Sequence, residues 1–506
     1  MRFDFRRVDQ LPRLAWCATL TRGHDSVVVH HGPWVETRDD CFFEAAWDGD
    51  FRAGRFDEAA TMLGTGARID GDLIVFSTAT DTDFYLFSVA SGDTLIVSNS
   101  LAFAMVQGKT SPDIRHPYYL YDFFALRRTG LTRDPRRLRT ADGKRLNVHM
   151  YQRFAVNQRL DIEARAMTHQ PLPVSFDSHV ATVRMTMAAV FENAAHPGRR
   201  YPFTPITMIS RGYDSTAVSA LAAKLGCRHA ITFSTGELGY DDNGADNAAR
   251  LGLSVTTSKQ FDFQRLPGHP EAEFCASNPS GSGMLIAGLS QQLEGRILLK
   301  GDSGDFVWSL SEIDAARDLR RPQIRALATA SMNEFRLRTG TLIFDVPGIG
   351  AIHSTAIHAL SSSPEMRPWS IGGTYDRPIP RRIAEEAGLP RNAFGQEKMY
   401  GANLAGDEDT LKPETVADFD RFYAAANVPW SFRQRHRYLR RDTLTRPVDA
   451  LLEYLRDTPG AAKLYKRFAP WLMNVTAHRA NDWRRLSPYL YLFHWGFDKT
   501  KARYEL

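Results

Sequence analysis

The sequence predicts an α/β protein: a doubly wound parallel sheet in its second half, preceded by a smaller β-rich α+β domain and followed by a helical extension. Three observations carry this. Between Ile206 and Ser258, short apolar runs alternate with helical patterns, which is the signature of βαβ units. Residues up to about 160 read instead as β-rich, with a hairpin as the clearest element. From Asp407 onward amphipathic helical patterns predominate. A chain of 506 residues is too long for one core, and these changes of pattern divide it at 1–165, 175–405 and 406–506.

Composition excludes several classes. Apolar residues make up 43% and charged residues 24%, as in an ordinary globular protein. The net charge of +5 is small for this length, so a general role on nucleic acid is not implied. The basic surplus is local: residues 431–506 hold 16 Lys and Arg against 7 Asp and Glu, which reads as solvated helix faces before it reads as a polyanion surface. Cys17, Cys41, Cys227 and Cys275 are far apart and form no C-x-x-C pair. That argues against a disulfide framework, a zinc site or a thiolation centre, and fits a reducing cytoplasm. The amino terminus lacks an apolar signal core and no run is long enough to span a membrane, so a soluble cytoplasmic protein is expected.

Taken in order, the β-rich part offers a strand candidate at Asp72–Thr78. A hairpin follows, with strands at Asp83–Ala90 and Thr94–Ser98 and a turn at Ser91-Gly92-Asp93. Residues 157–175 lose periodicity, carry Pro171 and Pro173, and read as a linker ending at a helix start on Ser175 or Asp177. A helix to Ala194 leads into the stretch that organises the rest, Ile206–Gly226.

There an apolar strand, Ile206–Ile209, enters the turn Ser210-Arg211-Gly212-Tyr213-Asp214-Ser215-Thr216. A helical pattern on Val218, Leu221, Ala222 and Leu225 follows, stopped by Gly226. A helix start has unpaired N–H groups and the positive end of the macrodipole, and a glycine lets the backbone approach an anion. Ser210, Ser215 and Thr216 add hydroxyl donors. Asp214 suits a phosphate only with a divalent cation between them, so the turn reads as a nucleotide-phosphate site with Mg²⁺. An ordinary N-capped helix after a strand has the same outline. Beyond it lie a strand His229–Ser234, a helix Asn243–Leu251 and a strand Ser254–Ser258. The loop Ser234-Thr235-Gly236-Glu237, at the equivalent strand end, is a candidate wall for an adenosine or a plain turn.

Two further stretches carry chemical groups. Ile297–Trp308, ILLKGDSGDFVW, is again an apolar strand ending in a glycine-rich acidic turn, with Gly301, Asp302, Gly304 and Asp305. Turn-favouring composition alone would also produce it. Because Mg²⁺ usually takes one or two carboxylates plus phosphate oxygens, Asp214 and Asp305 are the economical metal pair. Ser361–Asn403 holds Glu365-Met366-Arg367-Pro368, a helix Pro380–Ala387 stopped by Gly388 and Pro390, and then Lys398 on a loop beside glycines. Such a lysine can close over a reaction or simply be solvated. Further on, helical patterns fall at Val416–Ala426, Val448–Leu455, Ala461–Phe468 and Val475–Leu486. The aromatic run Pro488–Phe497 reads as core or a docking face.

The turn at Ser210 resembles the S-G-G-x-D-S pyrophosphatase loop (PP-loop) of the ATP pyrophosphatases. The chain from about Ser175 to Asn403 resembles asparagine synthetase and its relative β-lactam synthetase. Arg211 stands where that family has its first glycine, and Phe306 where it commonly has Glu. The resemblance implies an adenine-nucleotide α-hydrolase-like fold that binds ATP and Mg²⁺. Ser210, Arg211, Gly212, Asp214, Ser215, Thr216, Ser234 and Gly301 would then contact nucleotide, and Asp214 and Asp305 the metal. It also implies that Glu365, in a dyad with Asp302, activates an attacking amine, and that Lys398 stabilises charge on the acyl phosphate. Residues 77–105 are similar to the distal half of class II (Ntn-type) glutaminase domains, but Arg2 follows Met1 where that family has its nucleophilic cysteine. A thiolate is what makes that amide hydrolysis work. The expectation is therefore an AMP-forming amide ligase acting on a small carboxylate and ammonia or an amine, with a degenerate amino-terminal domain. A non-catalytic binding or scaffold relative is the alternative. No membrane partner is expected, nucleic acid is disfavoured, and a homodimer is left open.

Overall fold

The computed structural model describes residues 1–129, 136–235, 241–277, 283–310, 330–372, 375–396, 411–426 and 488–506. Its first part is a double layer of sheets. The strands are β1 (Arg2–Arg7), β2 (Trp16–Thr21), β3 (Ser26–His31), β4 (Glu36–Thr37), β5 (Cys41–Trp47), β6 (Met62–Asp70), β7 (Leu73–Ser77), β8 (Leu86–Ser91) and β9 (Thr94–Ser98). After α1 (Leu101–Gln107) and α2 (Tyr119–Thr129) come β10 (Arg136–Leu138), β11 (Leu146–His149), β12 (Arg153–Val156) and β13 (Ile162–Arg165). One sheet runs β1-β3-β2-β9-β8-β11-β10 and the other β13-β12-β7-β6-β5-β4. Trp16, Val29 and Val97 of the first face Phe42, Phe76 and Phe154 of the second. On the first sheet's outer side Cys17, Val89 and Ile96 meet Phe103 and Met105 of α1.

The alternation that builds this layer is visible in β3, whose residues are alternately half-buried and buried. β5 departs from it because every residue is buried. Both of its faces are covered, one by the facing sheet and the other by Phe51, Phe56 and α3 (Phe176–Ala194). Ser175 caps α3 and exchanges bonds with Ser178 in a capping box, so the helix starts at the first of the two expected positions and Asp177 lies in its first turn. The expected hairpin is β8–β9, with Ser91 opposite Thr94. The linker reading needs correction, since β13 lies inside residues 157–175 as an edge strand paired with β12. Its residues are all exposed, so no burial pattern announced it.

The second part is a five-stranded, all-parallel sheet built from β14 (Thr204–Met208), β15 (His229–Phe233), β16 (Ser254–Ser258), β17 (Arg296–Lys300) and β18 (Leu342–Asp345). Around it lie α4 (Tyr213–Lys224), α5 (Ala245–Arg250), α6 (Ala272–Ser277), α7 (Ser290–Leu293), α8 (Gly304–Val307), α9 (Asn333–Thr339), α10 (Ser354–Ser361), α11 (Pro378–Glu386), α12 (Pro413–Ala425) and α13 (Leu492–Lys501). The order is β16-β15-β14-β17-β18. The chain thus winds outward from β14 to one edge, then returns to β17 on the other side. β14 and β17 are neighbours, with Thr207 beside Leu299, and the strand order reverses between them. In open parallel sheets that reversal leaves a crevice at the carboxyl ends of the strands.

Helices cover both faces. Leu299 and Phe344 pack with Ala217, Val218 and Leu221 of α4 on one side. Ile206, Leu298 and Ile343 pack with Phe274, Phe335 and Trp495 on the other. The aromatic run at 488–497 is therefore core, as one of its readings held, and Leu492, Phe493 and Trp495 of α13 are buried. α12 is the expected helix near Val416–Ala426. The patterns at Val448–Leu455, Ala461–Phe468 and Val475–Leu486 lie outside the described residues. One continuous hydrophobic cluster contains Leu14 and Phe103 from the first part and Val218, Leu299 and Phe493 from the second. Among the described residues no helix is long and apolar enough to cross a membrane.

Candidate functional site

The crevice between β14 and β17 is lined by the two glycine turns singled out in the sequence. After β14, α4 begins at Tyr213 with Gly212 as its N-cap, so Asp214, Ser215 and Thr216 belong to its first turn. The start falls earlier than the apolar periodicity suggested. Gly212 supplies no capping side chain, and the turn is instead tied by hydroxyls. Ser210 Oγ and Ser215 Oγ are 2.8 Å apart, and Gly212 N donates to Ser210 Oγ (3.0 Å). Thr216 Oγ1 donates to the carbonyls of Ser210 (3.0 Å) and Gly212 (2.6 Å). The three hydroxyl residues thus shape the loop from within, and Thr216 is fully buried.

Arg211 does not crowd this turn. Its side chain points outward to Asp241 (2.8 Å), while its amide donates to Asp242 Oδ1 (3.0 Å). Burial raises the Asp242 carboxyl above its ordinary range, opposed by the Arg211 amide. Ser234 continues from β15 at the neighbouring strand end, its amide bonded to Ser258 O (2.9 Å). Gly236 and Glu237 lie outside the described residues.

The turn after β17 rests directly on the first turn of α4. A Cβ on Gly301 would lie 2.8 Å from the backbone carbon of Asp214 and 2.9 Å from Ser215 N, and one on Gly304 would fall inside the Asp214 carboxylate. Only glycine permits this approach. Asp345, at the end of β18, holds the turn from the other side: it accepts from Ser303 N (2.9 Å) and from Ser303 Oγ. Asp214, Gly301, Gly304 and Asp305 are thereby brought into one cluster.

A third segment closes over this pair of turns. Burial raises the Tyr375 phenol well above its ordinary value, and the carboxylates of Asp214 and Asp305 both add to the shift, so one hydroxyl senses both acids. Arg377 donates from one guanidinium nitrogen to Gly304 O (2.9 Å) and from the other to Asp305 Oδ1 (2.8 Å). Behind them Arg381, fully buried in α11, bonds Tyr213 Oη and lies 4.8 Å from that ring's centre. Gly395 N reaches Arg211 O (2.7 Å). Sequence reasoning passed over Tyr375, Arg377 and Asp345. The signal for Asp345 was present, since TLIFDVPG is another apolar strand ending in an acidic turn. Nothing local marks Arg377, whose partners are 72 and 73 residues away.

The carboxylates assigned to catalysis have separate partners. Asp302 pairs with Lys300 at the end of β17 (2.6 Å). Glu365 lies on a 3-10 turn, Pro364–Trp369, where its half-exposed carboxylate accepts from Arg382 of α11 (2.6 Å). Arg382 also bonds Glu386 (2.7 Å) and stacks between Phe176 and Trp369. Lys398 lies outside the described residues. α11 begins at Pro378, two residues before the expected start, because proline is tolerated in a helix's first turn.

Asp214 and Asp305 offer hard oxygen donors, which fit a divalent cation of the Mg²⁺ type, with Arg377 as a competitor for Asp305. Among the described residues no group of three or more His, Cys, Asp or Glu forms a cage of its own. All four cysteines are free and buried, and burial raises Cys17 and pushes Cys41 up to about 12, so neither presents a thiolate near neutral pH. No family model matches the chain. No curated protein matches it.

Proposed function

We propose that the protein is an ATP-dependent, AMP-forming amide ligase with an asparagine-synthetase-like PP-loop domain, lacking glutamine hydrolysis of its own. The observation that carries the reading is the packed pair of glycine turns at the strand-order reversal, where Gly304 lies against the Asp214 carboxylate and Asp305 follows it. It is the kind of crevice where a polyphosphate is held by a helix start. The amino-terminal double sheet is read as a glutaminase-like, Ntn-type layer whose cysteines, Cys17 and Cys41, are buried.

Carboxylates are poor electrophiles, so amide formation needs activation. In the proposed reaction a substrate carboxylate oxygen attacks the ATP α-phosphorus and the bond to the β-phosphate breaks, releasing pyrophosphate. The amine nitrogen then attacks the acyl carbon, AMP leaves with the C–O bond pair, and the amine proton passes to Glu365. For that step Glu365 must give up Arg382. The loop that Ser210, Gly212, Ser215 and Thr216 shape presents the helix start that orients the polyphosphate, and Lys398 supplies positive charge near the acyl phosphate. Mg²⁺, when held by Asp214 and Asp305, would neutralise the leaving pyrophosphate.

A non-catalytic binding relative is the second reading. It is favoured by the fact that Asp305, Glu365 and Arg211 each already have a counter-ion within the chain. Calorimetry with MgATP, followed by pyrophosphate exchange across a panel of small carboxylic acids, separates the two. Acid-dependent exchange supports the ligase. Nucleotide binding without exchange for any acid supports the binding relative, and indifference to MgATP removes the nucleotide site from both.

A further inference from the structure

Arg377 occupies a position that the proposed chemistry leaves without a role. Its side chain is 12% exposed, whereas Asp305, which it grips, is 50% exposed. The guanidinium is anchored to a main-chain carbonyl, Gly304 O, as well as to the carboxylate, so it sits beside the turn in a fixed orientation. Arg377 is also the N-cap residue of α11, which places its charge near the positive end of that helix. The first turn of α4 lies across the same crevice, under Tyr375. A guanidinium among two helix starts depends on an anion, and here Asp305 is that anion.

Resting on the nucleotide reading above, we propose that Arg377 is an exchange residue. It holds Asp305 while the crevice has no nucleotide, and it moves to the polyphosphate when a divalent cation takes Asp305. Cation and guanidinium compete for one carboxylate, so the cation alone binds weakly. A polyphosphate removes the competition by giving Arg377 a second anion, which couples the two ligands. Arg377 is thereby a phosphate-binding and positioning residue, and Asp305 passes between two cationic partners.

The test uses the full-length chain and Mn²⁺ as the probe, with free metal followed by electron paramagnetic resonance in the absence of nucleotide. Arg377→Gln is expected to bind Mn²⁺ about fivefold more tightly than wild type, since losing a half-exposed ion pair shifts an equilibrium by a small factor. The same variant is expected to bind MgATP about tenfold more weakly by calorimetry, since a charge-assisted bond to phosphate is lost. Arg377→Lys, which keeps the charge but not the two-pronged grip, falls between. A merely structural arginine would weaken both ligands together. Unchanged or weaker Mn²⁺ binding in Arg377→Gln overturns the exchange while leaving the nucleotide reading intact if wild type binds MgATP. Failure of wild type to bind MgATP overturns both.

Discussion

Replacing Glu44 by Gln tests how the two parts of this chain are joined. Glu44 sits in β5 and Arg336 in α9, and their side chains are 0% and 1% exposed. The carboxylate accepts from two Arg336 nitrogens (2.8 and 3.2 Å), from Thr65 Oγ1 (2.7 Å) and from Asn99 Nδ2 (3.2 Å). Glutamine is nearly isosteric and can keep Thr65 and Asn99 on its carbonyl oxygen. Its amide, however, would turn two N–H donors toward the guanidinium. Arg336 would keep Asn333 Oδ1 (3.0 Å) and the Phe84 ring face (4.6 Å), but no negative charge. Breaking one side of a buried pair costs about 3–5 kcal/mol, mostly because the surviving charge has lost its compensation. Glu44→Leu with Arg336→Leu removes both charges, and Asn99 and Thr65 retain Leu14 O and Trp16 Nε1 as partners. The double variant should therefore recover at least half of the loss. Urea unfolding at neutral pH, followed by tryptophan fluorescence, reads both quantities. The reasoning fails if Glu44→Gln lies within about 1 kcal/mol of wild type, or if the double variant is as unstable as the two single changes combined.

Three other outcomes are expected. Gly304→Ala puts a methyl group into the Asp214 carboxylate, so it should cost about 2 kcal/mol of stability and also weaken MgATP binding; thermal denaturation and calorimetry check it. Burial, then the charges of Asp83 and Asp345, pushes Asp81 up to about 7. A carboxyl raised in the folded state contributes stability that is complete below about pH 4 and is lost as pH climbs through 7. Asp81→Asn should therefore gain stability relative to wild type between pH 5 and pH 8, measured as urea midpoints, and a pH-independent difference would refute the assignment. With all four thiols buried, the native protein should resist alkylation and release glutamate from glutamine at no detectable rate, whereas all four should label after unfolding in urea. Rapid native labelling of any of them would show that its burial is wrong.

The local pattern of residues was enough to mark the β8–β9 hairpin, a helix start at Ser175 or Asp177, the strands β14 to β17 and the two glycine turns. Each depends on neighbours a few positions away, through periodicity, turn chemistry or a helix-start hydroxyl. β13 was missed because an exposed edge strand has no buried face to impose alternation. β5, CFFEAAW, carries no alternation because the facing sheet and α3 leave both its sides dry, and Glu44 is tolerated there only because Arg336 of α9 is packed against it.

The same division runs through the candidate site. Ser210, Gly212, Asp214, Gly301 and Asp305 were legible because each turn follows its own strand. Asp214 and Asp305 were also paired from the sequence as metal ligands, but the close seating of Gly304 against Asp214 depends on β17 crossing the sheet to lie beside β14. Likewise, Asp305 reads in isolation as a metal ligand, and only the folded chain brings Arg377 to it from 72 residues away. Short-range chemistry is written into consecutive residues, whereas the partner of a charge is decided by how distant strands and helices pack, and that is the information a single chain does not carry locally.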